Sequence, residues 1–377
     1  MDSPLDEQIL NAIELFHYSN KFRNTVFAII VNGADSLRTL LSDLRVLQSS
    51  HIRTVVFSRA SAHLERKIKD WKKRGHNFTY IELPLVSNDS KGTADVSMPA
   101  FLIAEETIPV VAFTDSEKLS FVPCIFYDSA LHCAKNLSAR KIIFPGPFPG
   151  LTVNNECLSH PSSEEVQRII TENDNLNLDR LFLAYVESKQ NEIGADIIIL
   201  EEKAGILFQE IFTHRGAGTL LSHDYPNKFR QAIPTDVADI ALLMKPYIKQ
   251  GSILPVSELQ IFDELKNYYV YTVNDQVVAS AKLTPFGDAG EIGKICTLPR
   301  YQRKGRARAI TEKIIEVARK KKLSSVFSLS TQDRMFIFFR QLGFKEVDRE
   351  SLPDVWKRSY DFSRPSKAFR LTIEPKS

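Results

Sequence analysis

The chain has 377 residues and a mass of 42.8 kDa, with 43% hydrophobic and 25% charged residues. That length suits two domains, the composition excludes disorder along the whole chain, and no apolar run reaches the ~18 residues of a membrane span. Net charge is +3 but unevenly spread: Pro226 to Ser377 carries 27 Lys+Arg against 17 Asp+Glu, and Met1 to Tyr225 carries 22 against 29. An acidic half joined to a basic half predicts two domains with different ligands, the basic one suited to an anionic cofactor, an acidic substrate or nucleic acid.

The opening Met1-Asp2-Ser3-Pro4 is acidic and lacks the basic-then-apolar order of a signal peptide. Cys124, Cys133, Cys157 and Cys296 form no CxxC pair. This spacing predicts neither a zinc site nor a disulfide framework, and fits a reducing, cytoplasmic compartment.

Along the first half, Thr25 to Val31, Thr54 to Phe57, Ile108 to Phe113, Lys141 to Phe144 and Asp196 to Leu200 are short apolar runs. Helical patterns fall between them, with leucines at helical spacing over Ser36 to Ser49 and a charged pattern around His63 to Trp71. Such alternation predicts a mostly parallel, doubly wound α/β sheet, with Val86 to Val96 as a loop. A boundary is expected near 219–229, giving domains 1–222 and 226–377.

Beyond it, Ile233-Pro234-Thr235-Asp236 opens a helix with Thr235 or Asp236 as N-cap. Tyr268 to Val273 and Val277 to Leu283 read as a hairpin across Asn274-Asp275, and Glu291 to Leu298 as a third strand. A helix from Gly305 to Lys320, a strand from Ser324 to Ser330, a helix from Thr331 to Leu342 and a strand from Lys367 to Ile373 complete a mixed sheet.

The segment Leu298 to Arg308 lies between a strand and a helix and contains Gln302-x-x-Gly305-x-Ala307. A strand-loop-helix turn aims backbone N–H groups at one point, at the positive end of the helix dipole, where pyrophosphate fits. Gly305 and Ala307 let the backbone approach closely, and Arg303, Lys304, Arg306 and Arg308 raise the local potential. Nine basic residues fall within 303–322 against Glu312 and Glu316. They also admit a solvated basic face or a nucleic-acid patch, although no aromatic stacking platform accompanies them.

This loop resembles the acetyl-CoA loop of the GNAT acetyltransferase superfamily, and Phe338 to Phe344 resembles the helix-then-Gly-Phe segment of that family. Acetyl transfer to an amine needs a base, an oxyanion stabiliser and a proton for the leaving thiolate. No histidine follows His223, so the base must be a carboxylate or a relayed water. Glu291, heading the strand into the loop, is the best-placed carboxylate. Ser330, ending the next parallel strand, could serve the leaving sulfur. Their bland alternatives are a strand-edge charge and a helix N-cap.

Four segments together are similar to N-acetylglutamate synthase of the bacterial, arginine-biosynthetic type: Leu207 to Thr219, Gly290-Glu291, Phe327 to Thr331, and Leu352 through Tyr360 to Lys367. The resemblance implies a shortened amino-acid-kinase-like domain followed by a GNAT domain that acetylates L-glutamate from acetyl-CoA. It makes Glu291 the general base, Ser330 the general acid, and Arg364 and Ser366 the holders of the side-chain carboxylate. It places acetyl-CoA at Ile295, Cys296, Leu298, Arg303, Lys304, Gly305, Arg306, Ala307 and Arg308. It implies arginine as effector near Glu210, Gly216 and Gly218, and a homo-oligomer built through the first domain, with no nucleic acid, membrane or metal partner. The family's arginine for the α-carboxylate is replaced here by Val256, so Lys294 is the substitute expected, or the acceptor is another amino acid or amine. Val31-Asn32-Gly33 offers no lysine and one glycine, so no kinase activity is expected. A slow, acetyl-CoA-binding regulatory protein is the remaining alternative.

Overall fold

The computed structural model describes residues 4–85, 96–114, 123–154, 156–172, 178–213, 216–222, 228–273, 276–302 and 304–373. The expected hairpin turn at Asn274-Asp275, most of the 86–96 loop, part of the expected boundary and Arg303 lie outside them. The chain divides into two compact units, Met1–His223 and Asp224–Ser377.

In the first unit the strands are β1 (Val26–Ile30), β2 (Arg53–Arg59), β3 (Phe78–Pro84), β4 (Ile108–Thr114), β5 (Lys141–Gly146), the short hairpin β6 (Thr152–Val153) and β7 (Glu156–Cys157), β8 (Asp196–Glu201) and β9 (Thr219–Leu221). Seven form one sheet in the order β3-β4-β2-β1-β5-β8-β9, parallel except for β9. The apolar runs are its interior strands, buried on both faces as parallel strands require. On one face Ala28, Val55, Val111, Ile142 and Ile197 meet the helices Pro123–Asn136, Ser163–Glu172 and Arg180–Ile193.

One sequence expectation changes here, and two features add to it. The Ser36 to Ser49 stretch is two helices, Ala34–Thr39 and Leu41–Ser49, which turn at Leu40 while Leu37, Leu40, Leu44 and Leu47 all stay buried. The edge strand β3 went unrecognised, because its half-exposed residues lack the continuous apolar signature of its neighbours. The turn after Phe212 is closed by a buried carboxylate: Glu210 accepts the N–H groups of Ala217 at 2.7 Å and Gly218 at 3.2 Å.

The second unit carries β10 (Lys228–Gln231), β11 (Tyr268–Val273), β12 (Gln276–Phe286), β13 (Ala289–Thr297), β14 (Ser325–Ser330), β15 (Lys345–Val347) and β16 (Lys367–Thr372). They form one sheet in the order β10-β11-β12-β13-β14-β16-β15. Only β13 and β14 are parallel. The helix Arg306–Lys320 buries Ile310, Ile314 and Ala318 against Ala279, Ala281, Leu283 and Ile292. The helix Val237–Lys249 packs on β12 and β13. Asp236 does not cap that helix through its side chain. Its carboxylate instead pairs with Arg230 and accepts the N–H of Ile233 at 2.8 Å, after a 3-10 turn at Pro234–Asp236.

Candidate active site

β13 and β14 pair only through Ala289, Gly290 and Glu291, opposite Ser325, Val326 and Phe327. Beyond that point they diverge, and a side chain takes over from the ladder: the buried Ser328 hydroxyl donates to Ile292 O at 2.7 Å. A bulge then bends β13. Ser280 faces Cys296 but Lys282 faces Gly293, so Lys294 and Ile295 together oppose Ala281, and Lys294 adopts φ +53°. A bulge strengthens local twist, which opens the gap between the two parallel strands.

Strand alternation sorts the residues at that gap. Ile292 turns into the core under the Arg306–Lys320 helix. Ala289 and Glu291 face the other way, toward Trp356, with Thr284 and Lys282 on the neighbouring strand opposite Glu291 and Gly293. Gly290 is required on the core side, because a Cβ there would lie 2.8 Å from Leu283 and from Leu323.

A cavity of about 240 Å³ opens on the Glu291 face and brings together Glu291, Lys294, Ser330, Arg364 and Ser366, five residues that the sequence had singled out. Lys282, Trp356 and Tyr360 line it as well. Burial pushes the Glu291 carboxyl above its ordinary value, against the pull of Lys282, Lys294 and a hydrogen bond from Trp356. The Lys294 ammonium is pushed down by burial and by Lys282 and Arg364, and it donates to Leu254 O at 3.0 Å. Lys282 pairs with Glu264 at 2.7 Å.

Ser330 does not cap the following helix, which begins at Asp333 with Gln332 at its N-cap. Its Oγ accepts the Gln332 N–H at 3.1 Å, so a lone pair is used and the hydroxyl proton is left for another acceptor. Ser366 is buried and hydrogen-bonded to the Tyr360 hydroxyl. The main chain of Arg364 is fixed by Arg349, which donates to its carbonyl at 2.7 Å. Val256 is not among the cavity residues.

The basic loop leads into the helix through Gly305, whose φ of +69° suits glycine. The first-turn N–H groups of that helix lack intrahelical acceptors. Arg306 lies over the Tyr271 ring at 5.4 Å, and Arg308 pairs with Glu312 at 2.9 Å on the exposed face. The Cys296 and Leu298 side chains are buried, so at these positions only the main chain can face a ligand, while Ile295 packs against the core. Among the described residues, no group of three His, Cys, Asp or Glu could hold a metal ion, and no helix is long and apolar enough to cross a membrane.

Sequence reasoning missed Lys282. Its signal was a lone lysine within the buried strand run Val277 to Leu283. Trp356 and Tyr360 lay inside a segment already noted, but nothing in their spacing showed that they would wall the cavity.

Residues 264–346 match the acetyltransferase (GNAT) domain model. An amino-acid acetyltransferase of Pseudomonas putida is 29% identical over 253 residues, 65% of this chain and 57% of that protein. One of Salmonella arizonae is 28% identical over 246 residues, 63% of this chain and 55% of that protein. The chain thus spans little more than half the length of these curated relatives. Both matched stretches are longer than either unit and therefore draw on both. The crystal structure of N-acetylglutamate synthase from Neisseria gonorrhoeae, complexed with coenzyme A and L-arginine, superposes with a TM-score of 0.61 at 18% identity. That superposition covers 97% of this chain and 99% of that one. In sequence across both units, and in fold throughout, the chain is similar to the amino-acid acetyltransferases: an amino-acid-kinase-like sheet followed by a GNAT acetyltransferase domain.

Proposed function

We propose that this chain transfers the acetyl group of acetyl-CoA to the amino group of L-glutamate. The observation that carries the reading is one cavity into which three segments, β13, the end of β14 and the stretch before β16, deliver Glu291, Lys294, Ser330, Arg364 and Ser366. The names of the curated relatives and of the N. gonorrhoeae structure support the same chemistry.

Glu291 takes a proton from the substrate ammonium. Burial raises its affinity for that proton, which strengthens it as a base. The free amine attacks the thioester carbonyl and forms a C–N bond and an oxyanion. Collapse of that intermediate breaks the C–S bond; the Ser330 hydroxyl protonates the departing thiolate and is reprotonated by the proton that the attacking nitrogen sheds as it becomes the amide. Coenzyme A would place its pyrophosphate against the first turn of the Arg306–Lys320 helix, with its thioester arm beside the open edge of β13.

Charge in the cavity favours an acceptor with two carboxylates. Lys282, Lys294 and Arg364 line it against one carboxyl whose ionisation burial opposes. Arg364 offers a guanidinium fork to the side-chain carboxylate, and Lys294, with Lys282 beside it, replaces the arginine absent at Val256 for the α-carboxylate. A panel of amino acids assayed for CoA release, with and without arginine, tests this. Turnover with glutamate well above glutamine and alanine is expected. Turnover with other acceptors and none with glutamate would overturn the substrate assignment.

A further inference from the structure

The open edge of β13 ends at a tyrosine that the chemistry above does not use. Leu298 donates its N–H to Val278 O at 2.9 Å, toward β12. One residue earlier the main-chain groups point the opposite way, so the N–H and C=O of Thr297 face the gap that β14 has left. Tyr247, near the end of the Val237–Lys249 helix, fills that position. Its hydroxyl donates to Thr297 O at 2.8 Å and accepts the Thr297 N–H at 3.0 Å. Gln302 Nε2, at the head of the Gln302-x-x-Gly305-x-Ala307 loop, donates to the same oxygen at 3.1 Å and, at the longer distance of 3.4 Å, to Thr297 O.

The main chain of Tyr247 holds the opposite wall. Its carbonyl accepts the N–H groups of Ser252 at 2.9 Å and Ile253 at 3.2 Å, both of which line the cavity. Burial pushes the phenol up, so it keeps the proton it gives to Thr297.

We propose that Tyr247 is a positioning residue for the coenzyme: its hydroxyl fixes Gln302 to the end of β13 and so sets the span between the phosphate-facing helix start and the open strand edge. The inference rests on the acetyl-CoA reading and assigns the residue that holds the loop in register for it. A ligand that grips both ends of that span binds well only if the span is already correct, since ordering the loop would otherwise be charged against binding. Removing the hydroxyl loosens the loop, leaving Gln302 only its longer bond to Thr297 O, while the carbonyl bonds to Ser252 and Ile253 survive. The loss should therefore fall on the coenzyme and spare the acceptor.

Tyr247→Phe in the full chain tests this by calorimetric titration with coenzyme A and by steady-state kinetics. Losing the hydroxyl's hydrogen bonds should weaken coenzyme A about 5–20-fold. KM for acetyl-CoA should rise in parallel, while KM for glutamate at saturating acetyl-CoA stays within about twofold of wild type. Gln302→Ala should weaken coenzyme A about 3–5-fold, and the double variant should lose less than the product of the two single effects, because Gln302 acts mainly through that hydroxyl and otherwise only by its longer bond to Thr297 O. This arm decides the matter if Tyr247→Phe fails to fold. Coenzyme affinity unchanged in both single variants, or KM rising equally for both substrates, overturns the assignment. Wild-type protein that does not bind coenzyme A would instead remove the functional reading on which it rests.

Discussion

Glu291→Gln separates a working carboxylate from a structural one. The substitution keeps the side chain's shape and an oxygen for the Trp356 hydrogen bond, and removes the base. A positioned general base contributes roughly 10²–10⁴-fold, so kcat should fall by about 10²–10³. Stability should move the other way. Burial is the largest influence on Glu291 and raises its pKa from the ordinary value of 4.5, while Lys282 and Lys294 offset only part of this. A group with a raised folded pKa contributes stability below its unfolded pKa and loses that contribution as pH rises through the folded one. Above the folded pKa the wild type therefore carries an ionised carboxylate that burial disfavours, and the glutamine variant does not. The variant should melt at or above wild type at about pH 8, and the gap should close as the pH falls toward ordinary carboxylate values. Wild-type kcat/KM should rise with pH along an acidic limb centred above 4.5. CoA release followed with a thiol-reactive dye, and melting by scanning fluorimetry across the same buffers, supply both readouts. Turnover of the variant within about threefold of wild type would refute the role of Glu291 as base. A large loss of stability at pH 8 would refute the burial argument.

Ser330→Ala should lower kcat with acetyl-CoA by about 10–10²-fold and cost much less with an aryl thioester, whose thiolate leaves without a proton; parallel assays of the two donors check this. Lys294→Gly relieves the left-handed conformation at φ +53° and removes a half-buried ammonium. It should raise stability by about 0.5–1 kcal/mol in urea melts while raising the KM for glutamate about tenfold. Gly218→Ala would drive a Cβ into Ile199 O and set it 2.7 Å from Leu200 Cβ. Backbone must move there, so a loss of about 2–4 kcal/mol is expected in denaturant unfolding.

How much the sequence revealed followed from the kind of signal each element carries. The interior strands of the first sheet were legible because both faces are buried, which leaves continuous runs such as Ile197 to Leu200. Strand β3 was not, because an edge strand mixes Tyr80 and Glu82 with apolar residues. Glu291 and Ser330 were found through element order, since each lies where a strand meets the coenzyme loop or its parallel neighbour. Lys282 required the register that sets it opposite Gly293. Tyr247 required knowing that β13 loses its partner before Thr297, a tertiary fact without local periodicity.

The bulge unites these observations. A regular β13 would stay paired to β14, satisfy Thr297 through the ladder and leave no cavity between the strands. The extra residue at Lys294 opens the gap at the cost of a left-handed backbone that a lysine ordinarily avoids. The freed polar groups are then met by side chains, Ile292 O by Ser328 and Thr297 by Tyr247, at the two ends of the opening. Between those ends, among the described residues, no strand pairs with β13 on that side. A sheet edge that is capped at both ends and left unpaired in the middle suits a ligand with amide groups of its own. The same residue whose conformation opens the edge points its ammonium into the acceptor cavity. Replacing Lys294 with a residue that prefers regular strand, such as valine, should therefore impair both substrates, whereas Lys294→Gly should impair only the acceptor. If both variants shift the KM of acetyl-CoA equally, the bulge is not what holds the edge open.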